Sequence, residues 1–184
     1  MNQLYCRVKI TSGLFKGKSI NRVGVSTTRE TSNLVKQAVF NMLGDINGKS
    51  VLDLFSGSGQ YSFEAISRGA LKAICIDNNK SSIHTININS NKLNCKDNIE
   101  VKKIDLFKIK KLVINEKIDI TFIDPPYSYN DFNTLISKIP RSEILVIETH
   151  KNTHMDEKID VYSIIKSKIY GIKKISIYKF LLYS

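Results

Sequence analysis

Apolar residues change their spacing twice along the chain. Residues 6–10 and 14–20 form two short runs with alternating apolar and polar positions on either side of Ser12-Gly13, the pattern of a β-hairpin. From Thr31 the period lengthens. Leu34, Val35, Ala38, Val39, Met42 and Leu43 recur at helical spacing, with Thr31 or Ser32 able to cap the start and Gly44 able to end it. Beyond residue 50, compact apolar runs alternate with helical stretches. Strands are predicted at 51–55, 72–77, 99–104, 118–124 and 143–149, and helices at 60–68, 80–93 and 132–139. Such alternation implies βαβ units and a parallel sheet covered on both faces. The tail breaks the rhythm: 161–169 and 172–182 flank Gly171 and read as an antiparallel pair closing one edge. The expectation is an α/β domain over 1–184. It has a seven-stranded, mostly parallel sheet with one antiparallel edge strand, preceded by a hairpin-and-helix extension over 1–44.

A length of 184 residues, 42% hydrophobic and 24% charged, fits one soluble domain able to bury a core, with no internal repeat or low-complexity linker. Lys and Arg number 28 against 17 Asp and Glu, a formal charge of +11 that suits a polyanionic partner. Abundant Ile, Lys and Asn point to A/T-biased coding, which accounts for part of that excess. Nucleic acid is favoured over membrane, because no apolar run approaches the roughly 20 residues a spanning helix needs. Polar and charged residues throughout 1–10 leave no signal-peptide core, so the chain reads as cytoplasmic. Cys6, Cys75 and Cys95 are odd in number and lack CxxC spacing, indicating neither a disulfide framework nor a zinc site.

Two stretches carry chemistry. Phe55-Ser56-Gly57-Ser58-Gly59 follows a predicted strand and precedes a predicted helix, the context in which glycines let backbone approach a ligand closely. Asp77 ends the next strand about 20 residues later, where an acidic side chain accepts from ribose hydroxyls. Asp105, with Leu106 or Phe107 beside it, could receive an adenine ring and its amine. The Asp53 carboxylate would repel phosphates but suit a cationic cofactor, which favours S-adenosylmethionine over a dinucleotide. The competing reading of Asp53 is a strand-end acid bonded to local amides. The second stretch is Asp124-Pro125-Pro126-Tyr127. Its prolines stiffen the loop and remove two donors, leaving the Asp124 carboxylate and the Pro125 carbonyl as acceptors for a planar amine, with Tyr127 placed to stack on the attached ring. The bland alternative is a helix-capping Asp and a proline turn. Glu148 could line the same pocket or merely pair with a lysine. His150 and His154 stand four apart in a polar loop, and the reaction as drawn needs no metal.

The pairing of these stretches resembles the amino-methyltransferases that use S-adenosylmethionine, and the chain at nearly full length resembles the RsmD family of 16S rRNA guanine-N2 methyltransferases. Further matching pieces are Lys16-Gly17-Lys18, Arg29-Glu30-Thr31, Phe40-Asn41-Met42-Leu43, Glu64-Ala65-Ile66-Ser67-Arg68-Gly69-Ala70 and Val146-Ile147-Glu148. The resemblance implies a Rossmann-like class I methyltransferase fold. It places the cofactor on Asp53, Phe55, Ser56, Gly57, Gly59, Asp77, Asp105 and Leu106, and the target base on Asp124, Pro125, Pro126 and Tyr127. Arg7, Lys16 and Lys18 of the hairpin, with Arg29 and Thr31, are candidate RNA contacts; a solvated edge strand guarded by lysines is the alternative for the hairpin. The implied partner is 16S rRNA within a partly or fully assembled 30S subunit, met by a monomer. The chain departs from the family in three places. Glu30 replaces a usual proline, Ser62 replaces a usual glycine, and Gly13 stands alone where two glycines are common. A DNA adenine-N6 methyltransferase would share both stretches but usually carries a recognition insertion. A protein glutamine methyltransferase usually has Asn at the Asp124 position. A non-catalytic RNA-binding module would retain the hairpin without needing intact glycines.

Overall fold

Parallel strands with apolar residues on both faces build the centre of the molecule, and the computed structural model describes residues 7–23 and 29–181, without side chains for 29–32. Strands β1 (Arg7–Lys9) and β2 (Ser19–Asn21) form a small antiparallel sheet, followed by helix α1 (Arg29–Leu43). Then come β3 (Ser50–Leu54), α2 (Gln60–Ser67), β4 (Lys72–Asp77), α3 (Lys80–Leu93), β5 (Ile99–Lys103), β6 (Ile118–Ile123), α4 (Phe132–Lys138) and β7 (Ser142–His150). The chain closes with β8 (Lys158–Ile159), β9 (Tyr162–Tyr170) and β10 (Lys173–Phe180). The main sheet runs β5-β4-β3-β6-β7-β10-β9-β8, with its first five strands parallel.

Side-chain alternation splits the interior in two. Val51, Ala73, Cys75, Ile120 and Phe122 face α1, α2, α3 and the small sheet in one apolar cluster. Leu52, Leu54, Ile74, Ile76, Ile123 and Ile147 face α4 in the other. Because β3 pairs with β4 on one side and β6 on the other, the strand order reverses at β3, and a crevice opens at the carboxyl ends of these strands.

The sheet has eight strands rather than seven, and two of them are reversed, the edge strand β8 and an interior one, β10. β10 lies between β7 and β9, antiparallel to both, and the two-residue β8 forms the rim. The reason is legible in burial: Ile175-Ser176-Ile177-Tyr178 is buried on both faces, whereas Ile165 to Ile169 of β9 is exposed and carries Lys166 and Lys168. The second hairpin arm is also shorter than expected. Residues 14–17 form turns, and Gly13 abuts α2 so closely that an added Cβ would lie 1.6 Å from the Ser67 carbonyl oxygen. That carbonyl accepts from the Leu14 amide at 2.7 Å. Helix α1 begins at Arg29, so Thr31 and Ser32 stand inside it rather than at its cap, while Gly44 (φ 78°) ends it as expected. Cys6 and Leu182 lie outside the described residues. No helix among the described residues is long and apolar enough to cross a membrane.

The small sheet is clasped to the main one by charge. Glu64, fully buried on α2, accepts from the Thr11 amide (2.9 Å) and hydroxyl (2.5 Å), the Ser12 amide (3.1 Å) and Arg68 Nε (3.0 Å). Lys36 Nζ lies 3.2 Å from the same carboxylate and also donates to the Lys9 carbonyl.

Candidate active site

Helix α2 must start immediately after β3, and the chain makes that turn with Phe55 at φ 59° and glycines at 57 and 59. Ser56 anchors the loop, its amide and hydroxyl both donating to the Ile76 carbonyl. The Gly57 amide donates to Asp77 Oδ2 at 2.8 Å, while Asp77 Oδ1 accepts from the Asn79 amide at 2.8 Å. Asp77 therefore ties the ends of β3 and β4 together, and still lines the cleft.

Two adjoining cavities occupy this end of the sheet. The larger, about 480 Å³, is lined by Asp77, Asn78, Asn79 and Ser82 at a polar wall and by Phe55, Ile104, Leu106 and Phe107 at an apolar one. The smaller, about 200 Å³, is bounded by Asp53, Ser56, Gly57, Ser58, Tyr61, Arg22 and Lys36. Asp124, Glu148 and Lys173 line both, so the acidic loop after β6 stands at their junction. Pro125, Pro126 and Tyr127 complete the rim of the larger one.

Tyr127 is half exposed, with the His150 ring edge-on at 5.8 Å between centroids. The Tyr129 amide takes the Pro126 carbonyl at 2.8 Å, whereas no hydrogen bond among the described residues takes the Pro125 carbonyl or the Asp124 carboxylate. These acceptors remain available to a ligand, which a helix-capping aspartate would not be. Asp131, not Asp124, caps α4, accepting from the Thr134 amide at 3.2 Å.

The electrostatics of the junction are strained toward protonation. The walls around Asp124 raise its pKa well above the ordinary carboxylate value; Glu148 adds to the rise, Lys173 opposes it and Asp53 adds a little more. Burial pushes Asp53 up to about 7, although the Ser62 hydroxyl (2.6 Å) and amide (3.2 Å) both donate to its Oδ2. Ser62 thus stabilises the charged form of Asp53 with a hydroxyl that glycine would lack. The Cys75 thiol lies 3.0 Å from the same hydroxyl, and burial pushes that thiol up. Glu148 both lines the cleft and pairs: Lys173 Nζ contacts its Oε1, and the Tyr61 hydroxyl donates to its Oε2 at 2.7 Å. Tyr61 is itself fixed by stacking on Phe122 at 4.9 Å.

Some expected residues stand apart. Asp105 does not line the cleft; its Oδ1 accepts from the Phe107 amide at 3.1 Å, holding the turn that presents Leu106 and Phe107. Gly59 is also set back: an added Cβ would meet the Phe63 ring at 2.8 Å, so its smallness serves helix packing. Arg7, Lys16 and Lys18 are exposed on the hairpin, with Lys18 Nζ 5.2 Å from the centroid of Phe15. Arg29 and Thr31 occupy the first turn of α1, and their side chains lie outside the description. Among the cleft residues that escaped the sequence reading of the site are Lys173, Tyr61 and Arg22. Their only sequence signal is a polar group within a strand or beside a loop. Among the described residues, no group of three or more His, Cys, Asp or Glu is disposed to hold a metal.

The residues present fit S-adenosylmethionine. A polar shelf beside an apolar slot suits an adenosine, and a cavity of a few hundred Å³ suits a cofactor. The smaller cavity offers carboxylates to an ammonium and cations to a carboxylate. Arg22 Nη1 is buried there without a hydrogen-bond partner among the described residues, an orphan donor that an acidic ligand group would satisfy.

A family model described as "Conserved hypothetical protein 95" matches residues 8–179. The chain is 32% identical to the ribosomal RNA small subunit methyltransferase D of Buchnera aphidicola subsp. Acyrthosiphon pisum, over 79% of each chain. It is 28% identical to the protein of that name in Haemophilus influenzae, covering 94% of this chain and 93% of the relative. A solved Haemophilus influenzae structure superposes with a TM-score of 0.78 at 26% identity, over 96% of this chain and all of the other. The eight-stranded architecture is accordingly a Rossmann-like class I methyltransferase fold.

Proposed function

The chain belongs to the RsmD family, described as conserved hypothetical protein 95, and from that premise we propose that it transfers a methyl group from S-adenosylmethionine to the exocyclic N2 amine of a guanine in small-subunit 16S rRNA. The observation that carries this reading is the position of Asp124 and its unengaged carboxylate, at the junction of a cofactor-sized cleft and a stiff, aromatic-ended loop. The substrate class comes from the named relatives. We further propose a partly or fully assembled 30S particle as the form in which the RNA is met, and action as a monomer.

S-adenosylmethionine supplies an electrophilic methyl group on a sulfonium and leaves as a neutral thioether. The chain's own residues prepare the amine, whose lone pair is delocalised into the base and is therefore a poor nucleophile. Asp124 and the Pro125 carbonyl accept hydrogen bonds from the two amine hydrogens, favouring rehybridisation of nitrogen and stabilising the positive charge that grows on it, and the acidic methylated nitrogen then gives up its extra proton through Asp124 to solvent. Tyr127, backed by His150, stacks on the extruded base. The prolines hold both acceptors in place, so alignment is prepaid. Asp77 and Asn79 hold the polar end of the cofactor cleft, Leu106 and Phe107 its apolar wall, and Asp53 and Arg22 the smaller cavity. Arg7, Lys16, Lys18 and Arg29 contribute phosphate contacts.

The test is to incubate the protein with labelled S-adenosylmethionine and 30S subunits from cells lacking it, total tRNA or DNA, and to identify the modified nucleoside by mass spectrometry. N2-methylguanosine in 16S rRNA is the expected product. N6-methyladenine in DNA, or no transfer to any of the three, would overturn the reading.

A further inference from the structure

Lys173 stands on β10, the reversed strand inserted between β7 and β9, and the register sets it opposite His150. From there its ammonium pairs with Glu148, which is 3% exposed, and reaches the junction of the two cavities where Asp124 lies. Other charged or titratable groups also face this junction. Asp53 comes from β3, Asp77 from the end of β4, Tyr61 from α2 and Tyr127 from the loop after β6, with Arg22 and Lys36 lining the smaller cavity. Lys36 is occupied by Glu64, while Lys173 opposes the rise of the Asp124 pKa.

We propose that Lys173 is a positioning residue for methyl transfer: its ammonium, pinned by Glu148, which Tyr61 orients, stands at the cavity junction beside Asp124 and opposes protonation of the carboxylate that receives the amine. Three carboxylates, Asp53, Asp124 and Glu148, converge on a recess with poor access to water, and like charges so placed cannot all stay ionised without a cation. Burial lowers the Lys173 pKa, but Glu148 and Asp124 more than reverse this, so the lysine remains charged across the working range. The Tyr61 hydroxyl, held by stacking on Phe122, leaves Glu148 one settled orientation in which to hold the lysine. A neutral Asp124 would accept from the amine more weakly and would stabilise the growing charge less.

The inference rests on the proposed methyl transfer, and the experiment separates the two. The Asp124 side-chain carboxyl is titrated by 13C NMR in the free protein, and the pH profile of kcat is measured on unmodified 30S subunits at saturating S-adenosylmethionine. Both are done for the parent, Lys173→Met, Lys173→Arg and Glu148→Gln. Lys173→Met should raise the Asp124 midpoint and the acid limb of kcat together by about one pH unit or more, about a fivefold loss where the parent is half-ionised and about tenfold further into acid. Activity should return at higher pH, and Lys173→Arg should restore most of the parent profile. Glu148→Gln keeps an acceptor for Tyr61 but removes both a like charge and the partner of the lysine, so the shift caused by Lys173→Met should be smaller in that background. Should Lys173→Met fail to fold, Lys173→Gln takes its place, and an unmoved midpoint there overturns the proposal. An unmoved midpoint in a folded Lys173→Met overturns it as well. No transfer by the parent sinks the proposed function instead, while the NMR titration still reports on Lys173.

Discussion

Glu64 on α2 and Asp124 in the loop after β6 are both carboxylates set among buried side chains, and the molecule treats them in opposite ways. Glu64 is fully buried, yet burial's upward pull on its pKa is outweighed by Lys36, Thr11 and Arg68, leaving it below the ordinary glutamate value. At Asp124 burial likewise pushes the pKa up, and it stays well above that of aspartate, because Glu148 and Asp53 add to the rise and Lys173 alone opposes it. Burial pulls both carboxyls the same way, and their partners decide whether that pull is reversed. Glu64 has every lone pair spent on the hairpin and α1, which is how a clasp is built. Asp124 has its lone pairs in reserve, which is how an acceptor for an incoming amine is built, and the repulsion it carries is a local debit against stability.

The sharpest break of this contrast is Glu64→Ala. Removing one partner of a buried pair strands the Lys36 ammonium, and unfolding followed by circular dichroism should show a loss of about 3–5 kcal/mol. The folded fraction should keep its affinity for S-adenosylmethionine. Because the folded pKa of Glu64 is depressed, its contribution is present above about 4.5 and fades as pH falls through the folded value. The stability gap between parent and Glu64→Gln should therefore close in acid. Next in size is Tyr127→Ala, which removes a stacking surface worth about 1–3 kcal/mol. KM for 30S subunits should rise about 5- to 150-fold with cofactor affinity unchanged in calorimetric titration. Smallest is Asp53→Asn. With a folded pKa near 7, Asp53 binds its proton more tightly in the native state than in the unfolded chain, so parent stability falls as pH climbs from the ordinary aspartate range through 7. The asparagine should erase that decline and raise Tm at pH 8 by about 2–4 °C. An unchanged or lowered Tm at pH 8 would mean that the cluster carries no repulsion at Asp53.

Local chemistry was readable in the chain and long-range pairing was not. The β4 and α3 boundaries emerge from periodicity, and the convergence of the Phe55 and Asp124 loops follows from the rule that doubly wound sheets bind ligands where strand order reverses. The placement of β10 inside the sheet depends on which of two adjacent runs is buried on both faces, and Ile172 to Leu182 against Val161 to Ile169 differ too little in composition to announce it. Lys173 was invisible for the same reason: nothing in Gly-Ile-Lys-Lys reveals that one lysine meets a buried glutamate 25 residues earlier. Asp105 shows that an acid after a strand has two uses, and in this structure its Oδ1 holds a turn amide. Glu64 looked like part of a helix because its partners, Thr11 and Ser12, are more than 50 residues away.

The account depends on Asp124 serving the reaction rather than the binding of the methyl donor or the fold. Single-turnover methyl transfer to unmodified 30S subunits by Asp124→Asn, at a concentration of S-adenosylmethionine that saturates the parent, tests that directly, with the cofactor Kd of both proteins measured alongside. The expected result is a rate lower by about 10²–10³ with Kd within twofold of the parent. A rate near that of the parent, or a loss of rate matched by an equal loss of cofactor affinity, would contradict it.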